Sequence, residues 1–182
     1  MNELQDIGER VIVCTNCDLC KTRTNAVPGR GSPNAQIMFI GEAPGRTEDL
    51  RGEPFVGAAG KKLDAMLEKN GILRSSVYIT NVVKCRPPNN RVPTQQERDA
   101  CNEYLEAEIR AVNPKVICVL GNTASSSILG QGDITKNHGQ IIKKDGRSYF
   151  VTFHPAATIY NQQLRSLMEQ DIQTLKKMTE TQ

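Results

Sequence analysis

The sequence predicts an α/β fold: a single domain with a four-stranded parallel sheet flanked by helices. Four short apolar runs, each ending at a polar or turn-forming residue, alternate with segments of helical periodicity. That order is expected of a parallel sheet covered on both faces. The 182 residues suffice for one well-formed core and argue against a second, so 1–182 reads as one domain. No linker, internal repeat or low-complexity tract interrupts it.

The first strand is predicted over 36–40, where Ile37-Met38-Phe39-Ile40 stops at Gly41. The others follow at 77–81, ending on Asn81, at 116–120, ending before Gly121, and at 149–153, ending before His154. Leu63, Met66 and Leu67 recur at helical spacing and predict a helix over 58–70, closed by Asn70-Gly71. Thr94-Gln95-Gln96-Glu97 has the capping-box pattern and opens a helix through Val112, which Asn113-Pro114 ends. A third helix is expected after Gly121, and a fourth carries Leu164, Leu167, Met168, Ile172 and Leu175. In open parallel sheets ligands bind beyond the carboxyl ends of the strands. Glu42, Asn81, Asn122 and His154 should therefore meet on one rim.

With 38% hydrophobic and 24% charged residues, the composition is that of an ordinary globular protein. No apolar run is long enough to cross a bilayer. The opening Met1-Asn2-Glu3-Leu4-Gln5-Asp6 shows neither a basic nor an apolar signal region, so a cytoplasmic location is expected. A formal charge of +3, from 23 basic and 20 acidic residues, is too small to establish nucleic-acid binding. Placement says more than the sum: basic residues gather at Lys61-Lys62, 84–91 and 143–147.

Six cysteines in such a chain point to a metal or a cluster rather than to disulfides. Cys14 and Cys17 form a C-x2-C pair, and Cys20 extends it toward a ferredoxin-like run that fails at Thr24. Cys118 lies in the most hydrophobic strand and reads as core. The ligand set chosen is Cys14, Cys17, Cys85 and Cys101: Cys85 sits between Lys84 and Arg86 before the rigid Pro87-Pro88, and Cys101 falls early on the capped helix. Four thiolates serve zinc and iron-sulfur clusters alike, so spacing leaves the metal open.

Three longer stretches resemble a known family. Gly41-Glu42-Ala43-Pro44-Gly45, Glu48-Asp49, Gly52-Glu53-Pro54-Phe55-Val56-Gly57 and Ala59-Gly60 are similar to the first motif region of the family 4 uracil-DNA glycosylases, the iron-sulfur branch of that superfamily. Tyr78-Ile79-Thr80-Asn81-Val82-Val83-Lys84-Cys85-Arg86-Pro87-Pro88 with Asn90-Arg91 resembles the second region, and Phe153-His154-Pro155 the last. The likeness runs from Cys14 to the final helix.

The resemblance implies a structural 4Fe-4S cluster on the four chosen cysteines. It also implies hydrolysis of the N-glycosidic bond of uracil in DNA, with uracil-containing DNA as partner and a monomeric protein. Asn81 would read O4 and N3–H of the base, an exposed Phe55 ring would stack on it, and a His154 N–H would stabilise charge on O2. Ala43 stands where related glycosylases carry an Asp. Glu42 is left as the acidic contributor, with Glu48 or Asp49 behind it and backbone groups around Ala43 assisting. Lys61, Lys62, Lys84, Arg86 and Arg91 are expected on phosphates, and 155–161 would enter the duplex with Ile159 as wedge. His138 is expected at the surface or facing phosphate. A cluster with four thiolates adds about −2, taking the total to roughly +1, so local basic loops would carry DNA affinity. The alternatives are an inert or electron-transfer iron-sulfur DNA-binding protein, and a relative that cross-links to the abasic product. The latter branch carries an inserted basic segment that 89–94 does not show.

Overall fold

The structure is a computed structural model that describes residues 3–180. In chain order, α1 (Glu3–Ile12) leads into β1 (Arg30–Gly31) and β2 (Ile37–Gly41). Helices α2 (Arg46–Arg51) and α3 (Ala58–Lys69) precede β3 (Tyr78–Asn81). Then come α4 (Gln95–Val112), β4 (Val116–Leu120), α5 (Gly121–Leu129) and α6 (Ile134–Asn137). The chain ends with β5 (Ile141–Lys144), β6 (Arg147–Thr152) and α7 (Gln162–Glu180).

One sheet of six strands runs in the order β1-β3-β2-β4-β6-β5. The inner four are mutually parallel and are the four expected strands. The expectation of a purely parallel, four-stranded sheet is corrected by β1 and β5, which pair antiparallel at the two edges. A two-residue β1 is too short to show any periodicity. β5 returns into β6 through Asp145-Gly146, both at positive φ (50° and 76°), the geometry of a tight hairpin turn.

Alternation along β2 sorts the core into two layers. Met38 and Ile40 join Ile7 and Val11 of α1 and Tyr104, Leu105 and Ile109 of α4. Ile37 and Phe39 join Leu63 and Leu67 of α3 and Met168 and Ile172 of α7. Each such buried side chain contributes about 1.5–3 kcal/mol relative to exposure. Cys118 is fully buried in the second layer, as expected of core. From β2 the chain steps to β3 on one side and then to β4 on the other. This reversal opens a crevice at the carboxyl ends of the strands.

Candidate active site

Gly41 ends β2, Asn81 ends β3, and His154 follows β6. Parallel register brings all three ends to one edge, where they enclose a cleft of about 460 Å³. Glu42, Ala43, Phe55, Asn81 and His154 all line it, together with Glu48, Arg91 and Ile159. Asn122 is not on its wall. Its Oδ1 accepts the Ile134 N–H at 2.9 Å and caps the turn leading into α6.

Asn81 is 1% exposed, and its Oδ1 is buried with no hydrogen-bond partner among the described residues. An unpaired buried carbonyl costs free energy that a ligand N–H would recover. Gly41, paired beside Asn81 in the sheet, leaves it room: a Cβ there would stand 2.6 Å from Asn81 Oδ1 and 2.5 Å from Phe55 Cζ. Phe55 holds a left-handed φ of 52°, a strained conformation for a bulky residue. The tight packing of Gly60 against its backbone maintains that conformation. The expected exposed ring is corrected. Phe55 is 4% exposed and tilts against the His154 ring at 5.7 Å, so the cleft meets a fixed aromatic wall.

His154 Nδ1 accepts the Ala156 N–H at 3.1 Å, which places the ring proton on Nε2. Burial pushes its pKa down to about 4, against a smaller upward pull from Glu48, so the imidazole is neutral near pH 7. Gly121, at φ +88°, lets the chain pass close behind it, since a Cβ would lie 2.9 Å from His154 Cβ.

The acidic side chains divide. Glu42 is half-buried on the cleft wall, and its carboxylate makes no hydrogen bond or ion pair among the described residues. Glu48 accepts backbone N–H groups from Gly45 (3.1 Å), Val56 (3.1 Å) and Gly57 (2.8 Å), and so braces both loops of the cleft. Asp49 is turned away and accepts from Thr24 and Asn25.

Among the basic residues, Lys84 does not reach phosphate. Three residues beyond β3, it is buried in an ion pair with Glu108 of α4. Arg91 lies at the cleft edge and pairs with Glu97 through both terminal guanidinium nitrogens, Nη1 and Nη2. Arg86 donates to Asn90 Oδ1, Lys61 is exposed and Lys62 half-buried. His138 is likewise not free at the surface: it pairs with the largely buried Asp171 at 3.0 Å and packs on Phe153. Ile159 faces the cleft, while its neighbour Tyr160 is 99% exposed.

A second cavity is walled by Cys14, Cys17, Cys20, Cys85 and Cys101. Arg23 Nη1 donates to Cys85 Sγ at 3.1 Å, Lys84 N to Cys101 Sγ at 3.3 Å and Asn16 N to Cys14 Sγ at 3.5 Å. Burial raises the pKa of Cys17, with the Leu19 backbone N–H pulling the other way. Cys20 has no such donor among the described residues. Burial pushes the Cys101 thiol up to about 12, so it stays protonated unless a cation holds it as thiolate.

Sequence reasoning missed the Glu48 brace, the roles of Gly41 and Gly121, and the Lys84–Glu108 pair. Only the first left a signal, a Glu three residues after the helix-opening Gly45.

A family profile described as the Uracil DNA glycosylase superfamily matches residues 28–176. A type-4 uracil-DNA glycosylase of Sulfurisphaera tokodaii is 46% identical over 193 residues, covering 100% of this chain and 87% of the relative. Another, from Archaeoglobus fulgidus, is 46% identical over 98% of this chain and 94% of its own length. A third, from Saccharolobus solfataricus, is 43% identical over 97% and 87%. With its strand ends converging on one cleft and these likenesses over nearly its whole length, the chain belongs to the type-4 uracil-DNA glycosylases.

Proposed function

We propose that the chain is a DNA-repair hydrolase that receives an extruded uracil in the cleft and cleaves its N-glycosidic bond, releasing free uracil and leaving an abasic site. The observation that carries this reading is the orphaned Oδ1 of Asn81. Uracil N3–H would supply the missing donor and O4 an acceptor for the amide N–H, whereas cytosine offers an acceptor at N3 and a donor at position 4. Phe55 forms the wall on which the base rests. As the C1′–N1 bond breaks, the bonding pair leaves on the base and charge spreads to O2, toward which a neutral His154 donates from Nε2. Water supplies oxygen to C1′ and loses a proton, and the uracil anion regains one at N1. Glu42, the unengaged carboxylate on the wall, is the group that orients this water. Glu48 acts through the loops it braces, with its oxygens already taken by backbone amides.

Cys14, Cys17, Cys85 and Cys101 are the residues that would hold a 4Fe-4S cluster, whose contribution is to tie two distant segments of chain together. The sulfurs of Cys14, Cys85 and Cys101 each accept an N–H donor, as thiolates bound to a cluster favour. Among the described residues no three such side chains converge closely enough to hold one ion. Sulfurs spaced around a cavity suit a group several atoms wide better than a single zinc, which draws its ligands to about 2.3 Å.

The test is uracil release from U:G, U:A and single-stranded oligonucleotides by purified, iron-loaded protein. Wild type should release uracil, and Asn81→Ala should lose about 10²-fold in kcat/KM. No release by the wild-type protein, or full activity in Asn81→Ala, overturns the reading. Iron and zinc analysis decides the metal, with iron expected.

A further inference from the structure

Lys84 and Glu108 are both 1% exposed and form an ion pair at 2.6 Å. A lysine ammonium has three N–H donors and no acceptor. All three are used internally: Nζ donates to Glu108 Oε2 at 2.6 Å, to Thr80 Oγ1 at 2.6 Å and to the Asn81 carbonyl oxygen at 2.8 Å. Glu108 in turn accepts the Thr80 hydroxyl at 2.8 Å and the Gly29 N–H at 2.8 Å. Burying two charges is expensive, and a well-packed apolar pair of similar volume would stabilise the core as well or better. Packing alone therefore does not account for Lys84.

What the ammonium does, and an apolar side chain cannot, is grip the carbonyl oxygen of Asn81. Asn81 is the last residue of β3, and the same network pins Thr80 before it. The side-chain Oδ1 of Asn81 has no hydrogen-bond partner among the described residues, so its aim depends on where the backbone places it. Lys84 is itself anchored, since its backbone N–H donates to Cys101 Sγ on the wall of the cysteine cavity. One residue thus touches both sites, through its backbone on one side and its ammonium on the other.

We propose that Lys84 is a positioning residue that sets the aim of the Asn81 amide, and through it the preference for uracil over cytosine. This rests on reading the cleft as a uracil pocket. The experiment uses cluster-loaded wild type and the double variant Lys84→Met/Glu108→Gln, which leaves no buried charge unpaired. Each is titrated with a duplex carrying 2′-fluorodeoxyuridine, whose fluorine slows glycosidic cleavage, and with the matching 2′-fluorodeoxycytidine duplex. The uracil-to-cytosine binding ratio should fall about tenfold in the variant, while affinity for undamaged duplex is unchanged. A merely structural role would lower melting temperature or iron content and leave the ratio intact, and a folded variant with the wild-type ratio overturns the proposal. Should the double variant not fold, Thr80→Val deletes one of the three acceptors at nearly constant volume. The ratio must then fall in the same direction by a smaller factor, and an unchanged ratio overturns the proposal. A wild type with no preference for uracil would instead overturn the reading of the cleft.

Discussion

A methyl group added at Gly41 would contact Phe55 Cζ at 2.5 Å and Asn81 Oδ1 at 2.6 Å, distances that no real Cβ tolerates. One of the two must move, and both define the base pocket. Gly41→Ala is therefore expected to lower kcat/KM for uracil release by about 10²-fold while circular dichroism stays that of the wild type, since misplacement of a positioned group is costly. Wild-type kinetics in this variant would remove Gly41 from the account. His154 gives a prediction in pH. Its folded pKa of about 4 lies below the ordinary 6.5, so between those values the unfolded chain binds more protons. The group's contribution to stability is then fully present above 6.5 and declines as pH falls toward 4. Single-turnover uracil release should show no acid limb centred near 6.5 that depends on this residue, and such a limb, abolished in His154→Gln, would refute the neutral imidazole. Asn81 and His154 were legible in the sequence because a polar residue at the end of an apolar strand stands out. The burial of Phe55 and Lys84 was not, because each depends on partners far away in sequence.

At the scale of elements, α4 carries both its own signal and a wall of the cysteine cavity. Thr94 Oγ1 accepts the Glu97 N–H at 3.2 Å, and Glu97 returns a bond to the Thr94 N–H at 2.8 Å. The Arg91 guanidinium beside Glu97 holds that carboxyl down at about 2, against the opposing effect of burial, so the cap persists across ordinary pH. Thr94→Ala should cost about 1 kcal/mol. A melting temperature lower by roughly 2–4 °C is the expected reading, at unchanged uracil release at room temperature. An unshifted melting curve would show that Arg91 and Glu97 hold this terminus without the hydroxyl. The capping box and Asn113-Pro114 made α4 readable from end to end, and the inner strands were readable from their apolar runs. The edge strands were not. β1 is only two residues long, and β5 reads Ile-Ile-Lys-Lys, half of it charged, as suits a strand with one side open to water. Helix α1 was also missed, although its Ile7 and Val11 are buried in the same core layer as α4.

For the whole molecule, a formal charge of +3 leaves DNA affinity to local groups, and the structure narrows which ones are free to act. Lys84 is spent on Glu108 and Arg91 is engaged with Glu97, while Lys61 stands exposed on α3 beside the cleft loop. Lys61→Ala is expected to weaken binding to damaged and undamaged duplex alike and to reduce the salt dependence of log K by about one unit. An unchanged slope would place Lys61 off the phosphate path. The sequence by itself determined the α/β class, the four inner strands along the chain, the strand-end polar residues and the family. These are properties of local pattern, carried by apolar runs, caps and contiguous motifs. Only the tertiary structure decided that Asn81 Oδ1 has no partner among the described residues, that Glu48 binds backbone amides of both cleft loops, and that Lys84 bridges the cysteine cavity and the cleft. Those facts arise where loops and strand ends meet in a low-dielectric interior, where each polar group must find a partner or await a ligand.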